Sequence, residues 1–130
     1  MSYVDLHVHS NASDGTLSPE QVVRLAHEAG LSAIALTDHD TTAGVAGAAE
    51  AGAELGLEVV PGIEVSSSFR DHEIHILGLF VDTDSPSLQA ALKEFRHHRD
   101  QRNQEMLGRF DAHGIHLTAE DLCAGNPDTV

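Results

Sequence analysis

The sequence predicts an α/β fold built on a mostly parallel sheet, and three observations support this prediction. Apolar segments with the length of strands alternate with segments that have the pattern of helices over residues 1–81, which is typical of βαβ units. The helical segments carry recognisable start and stop signals. Polar residues that can bind a ligand follow the strands at their carboxyl ends, where parallel sheets place their ligands.

The first βαβ unit begins with a predicted buried strand over residues 3–8 and ends with a second apolar strand over residues 32–37. The helix between them begins with the sequence SPEQ at residues 18–21. Its serine is the N-cap, its proline occupies the first helical position and its glutamine closes a capping box. Gly30 ends this helix.

The second unit continues with an Ala-rich helix and two further strands. Thr41 or Thr42 is predicted to cap this helix, which runs to about Gly56. Two apolar runs then flank Pro61-Gly62, so the third strand is predicted to contain a break or a bulge. A fourth, largely apolar strand is predicted over residues 72–81.

The pattern changes after residue 81, where one long helix is predicted over residues 86–112 and a short helix begins at Thr118. Five of the seven basic residues of the chain lie in the long helix. Arg99 and Arg102 fall within its apolar stripe, the face that should turn inward. Either both side chains reach past the helix edge to water, or this face borders a cleft that binds phosphate, for which guanidinium groups are suited.

The composition limits the classes of function. With 130 residues, 41% of them hydrophobic, the chain has the size and core-forming content of one domain. Twenty-one acidic against seven basic residues give a net charge of −14, which would repel duplex nucleic acid. The one cysteine, Cys123, excludes an intrachain disulfide. With no signal peptide and no apolar run of membrane-spanning length, a cytoplasmic protein without a membrane partner is expected.

Histidines and carboxylates at the predicted strand ends indicate a metal site. His7 and His9 are two positions apart in a strand, so both face the same side of the sheet. Asp14 and His39 follow the first two strands, and imidazoles and carboxylates are the ligands that borderline divalent metals select. The alternative for the histidine pair is a polar strand end without a function.

His39 lies between Asp38 and Asp40, and one of these carboxylates could orient the imidazole instead of contacting a metal. Glu64 lies inside an apolar strand, where an unpaired carboxylate is costly. No Lys or Arg is nearby in sequence, so a metal ligand that bridges two cations is favoured over an ion pair.

His75 raises a similar question within the apolar fourth strand. It is either a further metal ligand or a hydrogen-bonded core histidine. His72, in the preceding turn, is the competing ligand but is expected to be exposed.

Together these residues resemble the PHP superfamily, the polymerase and histidinol phosphatase domains. The resemblance rests on five ordered motifs, which are DLHVHS at residues 5–10, SDG at 13–15, TDHD at 37–40, PGIE at 61–64 and EIHILG at 73–78. The SDG variant and the sequence RDQR at residues 99–102 look most like the branch that acts on nucleoside phosphates. Members of that branch remove the 3′-phosphate of nucleoside 3′,5′-bisphosphates, and some trim short RNA from its 5′ end.

The resemblance implies the N-terminal part of a distorted (β/α)7 barrel that holds two or three divalent metal ions, with Mn preferred and Fe, Zn or Mg as alternatives. The metal ligands that it implies are His7, His9 and Glu64 for one ion, Asp14 and His39 for a second, and Glu64 with His75 for a third. It also implies that Asp40, Arg99 and Arg102 contact the substrate.

The resemblance divides the chain into a metal-binding barrel part, residues 1–84, and the start of a helical insertion that closes over the nucleotide, residues 85–130. A complete barrel takes about 200 residues or more. Asp111-Ala112-His113 fits the spacing of the family's late Asp-x-His pair but lies in the wrong place. The remaining ligands of the family are expected beyond these residues, so the chain is expected to be truncated.

The expected function is therefore a metal-dependent phosphomonoesterase. A hydroxide bridging two ions would attack phosphorus in line, and the ions would offset the charge that develops on the phosphoryl oxygens. The expected partner is a small phosphorylated nucleotide, with short RNA as a second substrate, and the oligomeric state is not predicted. The enzymatic alternatives are a histidinol-phosphate phosphatase and a polymerase-associated PHP exonuclease. The alternative of another class is a non-catalytic metal-binding PHP module.

Overall fold

A computed structural model describes residues 2–70 and 72–122, so that Cys123 lies outside the described residues. The described residues form four strands and four helices. In chain order the elements are β1 (Tyr3–Val8), α1 (Pro19–Glu28), β2 (Leu31–Leu36), α2 (Val45–Leu55), β3 (Glu58–Phe69), β4 (His72–Leu79), α3 (Pro86–Ala112) and α4 (Ala119–Leu122).

The four strands form one sheet in the order β1-β2-β3-β4. The first three strands are parallel, and β4 is antiparallel to β3. Only two residues separate β3 from β4 in the sequence, which is too short for the crossover that a parallel pair needs. The predicted α/β fold with a mostly parallel sheet is confirmed, and its fourth strand adds an antiparallel hairpin.

The sequence predicted the N-terminal cap of α1 correctly but that of α2 incorrectly. The predicted capping box is present, because the Gln21 amide donates to Ser18 Oγ (3.3 Å) and the Ser18 amide donates to Gln21 Oε1 (2.9 Å). The predicted Thr cap of α2 is wrong, since Gly44 is its N-cap. The Thr41 hydroxyl instead accepts a hydrogen bond from the Ala43 amide in the preceding loop.

The hydrophobic core lies between α1, α2 and the middle of the sheet. Ile34 and Leu36 of β2 have no solvent exposure, and they pack with Val23 of α1 and Ala48 of α2. The prediction that the first strand is buried is wrong, because all its residues up to His7 are exposed and only Val8 is half-buried. This strand lies at the edge of the sheet, so it has a neighbouring strand on one side among the described residues.

The strand β3 is continuous through Pro61-Gly62, so the predicted break is wrong. Its pairing changes there, since Glu58–Pro61 pair with β2 and Gly62–Phe69 pair with β4. Proline lacks an N–H group, but the Pro61 carbonyl still accepts a hydrogen bond from the Val81 amide at 3.1 Å. The missing donor is therefore tolerated at the point where the strand changes partners.

Gly62 is required where the backbones of β2 and β3 come close together. A Cβ atom at this position would lie 2.7 Å from Thr37 Cγ2 and 2.8 Å from the Leu36 carbonyl oxygen. We expect Gly62→Ala to lower the free energy of unfolding by about 1–3 kcal/mol, the range for overpacking a core. Urea denaturation of the purified protein measures this change.

The matched control for Gly62→Ala is Gly108→Ala in α3. A Cβ atom at Gly108 would have no heavy atom within 4 Å apart from its chain neighbours and the backbone of its own helix turn, and alanine is the better helix former. We expect this control to raise the free energy of unfolding by about 0.5–1 kcal/mol. If Gly62→Ala and Gly108→Ala had the same free energy of unfolding, the close contact at Gly62 would not limit which residue can occupy that position.

The long helix α3 has the predicted bounds, but only part of its apolar stripe is covered. Leu92 has no solvent exposure, whereas Met106 and Phe110 are exposed. The short helix α4 begins at Ala119, one residue after the predicted start at Thr118, and the Thr118 hydroxyl accepts a hydrogen bond from the Asp121 amide. None of the described helices combines the length and apolarity needed to cross a membrane.

Candidate metal centre

The predicted ligands converge at one end of the sheet. His7 lies in β1, His9 follows it, and His39 follows β2, so the parallel strands bring the three imidazoles together. Neighbouring ring centroids are 5.1 Å apart for His7 and His9 and 4.6 Å apart for His9 and His39. Glu64 and His75 join them from the β3–β4 hairpin, where the His39 and His75 ring centroids are 5.0 Å apart.

Glu64 is the centre of this arrangement. Its side chain is 6% exposed and contacts four imidazoles. Oε2 lies 2.8 Å from His7 Nε2 and 2.9 Å from His9 Nε2, and Oε1 lies 2.9 Å from His75 Nδ1. The nitrogen His39 Nε2 is farther away, at 3.7 Å from Oε2. The carboxylate thus joins ligands from both sides of the cluster.

Three groups in the described residues have ligand atoms that all lie within 4.8 Å of one another. They are His7, His9 and Glu64; His9, Asp14 and His39; and His39, Glu64 and His75. The first group matches the set implied by the resemblance for one ion. The other two groups each contain one histidine more than the implied sets. His9 is added to Asp14 and His39, and His39 is added to Glu64 and His75.

Two histidines have carboxylates at both ring nitrogens. His9 Nδ1 lies 3.0 Å from Asp14 Oδ1, while His9 Nε2 lies 2.9 Å from Glu64 Oε2. His75 contacts Glu64 through Nδ1 at 2.9 Å and Glu73 through Nε2 at 3.2 Å. A neutral imidazole has one N–H group, so it can donate to only one of two carboxylates. Either a second proton or a cation must balance the other contact, and this donor set therefore fits divalent metal ions.

The electrostatic environment keeps the central carboxylates ionised. Burial raises the pKa of Glu64, but the hydrogen bond to His7, the charge of His39 and the hydrogen bond to His75 together leave that pKa below its ordinary value. Burial likewise raises the pKa of Asp14, and two neighbouring imidazoles lower it further than burial raises it. Both groups are thus anionic at neutral pH, as metal ligands must be.

His75 is an exposed member of the cluster, so the alternative of a buried core histidine is wrong. Its hydrogen bond to Glu73, and then that to Glu64, raise the pKa of His75. The Glu73 contact also directs His75 Nδ1 toward the centre, as outer carboxylates do for metal-bound histidines. His72 is exposed, as expected, and lines the adjacent cleft.

The two aspartates beside His39 do not orient its imidazole. Within the described part of the chain, His39 Nδ1 is buried without a hydrogen-bond partner. Asp38 instead accepts hydrogen bonds from Ser10 and Ser13. The TDHD motif did not predict this contact, because the two serines lie 28 and 25 residues earlier in the chain.

Asp40 holds the long helix against the site. Its side chain, 5% exposed, forms an ion pair with Arg99 of α3 and accepts a hydrogen bond from the Ser66 amide at 2.8 Å. Arg99 also donates to Ser66 Oγ at 3.3 Å. The interpretation that Arg99 reaches past the helix edge to water is wrong for this residue, since its side chain is only 16% exposed.

An open cleft of about 730 Å³ adjoins the cluster. Arg99 and Arg102 line it from α3, and His75 lines it from β4. Asp14 and His39 line it from the segments that follow β1 and β2. The arginine face of α3 thus borders a cleft, as predicted, and phosphate binding in this cleft stays a prediction. This placement brings cationic side chains and candidate metal ligands to one open space.

Comparison with known proteins gives consistent matches. The family model described as PHP domain matches residues 5–121. A 3′,5′-nucleoside bisphosphate phosphatase from Chromobacterium violaceum is 44% identical over 115 residues, which are 88% of this chain and 40% of that protein. A 5′-3′ exoribonuclease from Haemophilus influenzae is 40% identical over 111 residues, which are 85% of this chain and 40% of that protein.

A solved structure from Bifidobacterium adolescentis, assigned as a metal-dependent phosphoesterase, superposes with a TM-score of 0.86 at 32% identity. The superposition covers 97% of this chain and 44% of that one. This chain thus spans about 40% of the length of the relatives that it matches. The sheet and helices of this chain correspond to the N-terminal part of a PHP (β/α) barrel.

Proposed function

Because this chain belongs to the PHP domain family, we propose that it is the N-terminal part of a metal-dependent phosphoesterase that hydrolyses a phosphate monoester of a nucleotide. The proposed substrate is the 3′-phosphate of a nucleoside 3′,5′-bisphosphate, with 5′-end trimming of short RNA as a second activity. The names of the Chromobacterium and Haemophilus relatives support these two substrates.

One observation carries the proposal, namely the convergence of four imidazoles on the buried Glu64 carboxylate beside an open, arginine-lined cleft. We propose that this centre holds two or three divalent ions, with Mn preferred. The ligands would be the ones predicted from the sequence, His7, His9, Asp14, His39, Glu64 and His75. The doubly contacted rings of His9 and His75 support this proposal, because a cation between nitrogen and oxygen resolves each contact.

Divalent ions in such a centre would supply a reactive hydroxide at neutral pH and offset charge on the phosphoryl oxygens. The side chains of this chain would determine where these ions bind. Glu64 joins the ligands of β1 to His75 of β4, so it fixes the spacing of the binding positions. Asp14, exposed on its loop, closes the cluster on the side of His9.

We propose that Arg102 binds a phosphate of the substrate and that Arg99 assists it. Arg102 is exposed and lines the cleft. Arg99 is held by Asp40, yet a guanidinium has five donors, so the ion pair does not prevent it from contacting a phosphate. Asp40, predicted to contact the substrate, also lines the cleft. Because its carboxylate is paired with Arg99, we propose that it acts on the substrate through Arg99 and not directly. Residues 85–130 would form the start of the substrate-closing insertion, and residues 1–84 the metal-binding barrel part.

The test is an assay of the purified full-length protein with Mn²⁺ against adenosine 3′,5′-bisphosphate, with inorganic phosphate release as the readout. We expect turnover of the bisphosphate and loss of turnover after dialysis against a chelator, because the hydroxide and the charge compensation would be lost together. A short 5′-phosphorylated RNA, assayed in parallel, tests the second activity.

Histidinol phosphate is the control substrate, because it carries a phosphate monoester without a nucleoside. Turnover of histidinol phosphate alone would contradict the proposed substrate class. Metal analysis that found less than one ion per chain, together with no turnover of any substrate, would favour a non-catalytic module.

A further inference from the structure

Asp38 is a buried carboxylate that lies outside the candidate ligand set. It is 2% exposed, and three hydrogen bonds of 2.7 Å reach its two oxygens. Oδ1 accepts from the Ser10 amide and the Ser13 hydroxyl, and Oδ2 accepts from the Ser10 hydroxyl. All three donors belong to the loop that follows β1. The carboxylate is thus the internal anchor of this loop.

The anchored loop carries Asp14, a candidate ligand. Ser13, directly before it, is 2% exposed and donates mainly to Asp38, with Asp14 Oδ1 at a longer 3.3 Å. The Ser10 carbonyl accepts from the Gly15 amide at 2.8 Å, which closes the loop around Asp14. The position of the Asp14 carboxylate therefore depends on the serines that Asp38 holds.

The main chain of Asp38 reaches a second part of the centre. Its carbonyl oxygen accepts a hydrogen bond from the Glu64 amide at 3.1 Å, and the Asp40 amide donates to the Glu64 carbonyl at 2.9 Å. These bonds form the bridge that pairs His39 with Glu64 beyond the end of β2. Asp38 therefore connects the loop that carries Asp14 to the strand that carries Glu64. It also immediately precedes His39.

We propose that Asp38 is a positioning residue for the second ion, the one held by His9, Asp14 and His39. This inference rests on the proposed function, because it requires that the centre binds metal. Asp38 acts through Ser10 and Ser13, which set the distance of Asp14 from the two imidazoles. The hydrogen bonds of its carboxylate in the described residues go to Ser10 and Ser13 and not to a candidate ligand.

The test is a Mn²⁺ titration of the metal-free full-length protein, with free Mn²⁺ followed by electron paramagnetic resonance. The variant Asp38→Asn keeps the size of the side chain but places an NH₂ group against hydroxyl and amide donors. We expect the affinity for one Mn²⁺ ion to fall about 10- to 100-fold, the usual range for residues that hydrogen-bond to metal ligands from outside the site. Binding of the remaining Mn²⁺ should be unchanged. The melting temperature of the metal-free protein is measured alongside.

Ser13→Ala provides a milder variant, and it decides the question if Asp38→Asn does not fold. It removes one hydroxyl donor and leaves both contacts of Ser10 in place. We expect Ser13→Ala to lose less affinity for the same ion than Asp38→Asn does. In the double variant Asp38→Asn/Ser13→Ala, the loss of binding free energy should be smaller than the sum of the losses in the two single variants. Ser32→Ala is the matched control, because it removes a hydroxyl that joins β2 to β1 at the opposite end of the sheet.

The outcomes separate this inference from the function on which it rests. A lower melting temperature with an unchanged Mn²⁺ titration, in both Asp38→Asn and Ser13→Ala, would mean that Asp38 has only a structural role. The absence of Mn²⁺ binding by the wild-type protein would overturn the proposed function and this inference together. A selective loss of one ion, absent in Ser32→Ala, would establish the positioning role.

Discussion

Replacing Glu64 by Gln is expected to reduce kcat/KM by about 10³-fold, which corresponds to about 4 kcal/mol of transition-state stabilisation. The amide keeps the volume of the side chain but loses the negative charge, and its NH₂ group faces imidazole nitrogens at 2.8–2.9 Å. Because Glu64 belongs to two of the three ligand groups, at least one ion should be lost as well. Phosphate release and metal content of the purified protein measure the two effects.

The matched control for this change is Glu58→Gln. Glu58 lies in the same strand, is exposed and is six residues from Glu64, outside the three ligand groups. We expect its activity and metal content to equal those of the wild type. If Glu64→Gln kept full metal content and activity, the assignment of Glu64 as the central ligand would be wrong.

Replacing Arg99 by Met is expected to lower the free energy of unfolding by about 3 kcal/mol, because it leaves a buried carboxylate without its cation. Asp40 is 5% exposed, and the remaining hydrogen bond from the Ser66 amide does not neutralise its charge. Urea denaturation of the full-length protein measures the loss. The double variant Asp40→Asn/Arg99→Met should recover part of it, since no buried charge remains.

Arg102→Met is the control for Arg99→Met, since the two arginines share a helix and a cleft but differ in burial. We expect Arg102→Met to leave stability unchanged and to raise KM about tenfold, as the loss of one charged hydrogen bond would. Equal stability of the two variants would show that the Asp40–Arg99 ion pair does not hold α3 in place.

The convergence of the candidate ligands could be predicted from the sequence because it depends mostly on local features. His7 and His9 share a face by strand periodicity, and parallel strands bring His39 beside them without any knowledge of packing. Glu64 stood out because an ionised group in an apolar strand requires a partner. The capping box of α1 was equally accessible, since its two hydrogen bonds join residues three positions apart.

The roles of Asp38 and Asp40 were not accessible, because each depends on partners distant in sequence. Asp40 pairs with Arg99, 59 residues later, and nothing in the helical wheel of α3 indicates which arginine lies deeper. The exposure of β1 depends on its position at the sheet edge, which its apolar composition does not reveal. Strand order and helix placement decide such features.

The unequal lengths of the strands have a consequence for dynamics. β3 has twelve residues and β2 has six, so the β3–β4 hairpin extends past the end of the parallel sheet. A two-stranded hairpin is marginally stable by itself. His75 lies on this extension, whereas His7, His9 and His39 lie at the supported ends of β1 and β2. Glu64 also lies in the part of β3 that pairs with β4. Local opening of the hairpin would therefore disturb the first and third ligand groups, which share Glu64, while the group of His9, Asp14 and His39 has no member on the hairpin. Metal would then be lost from the centre in part and not all at once.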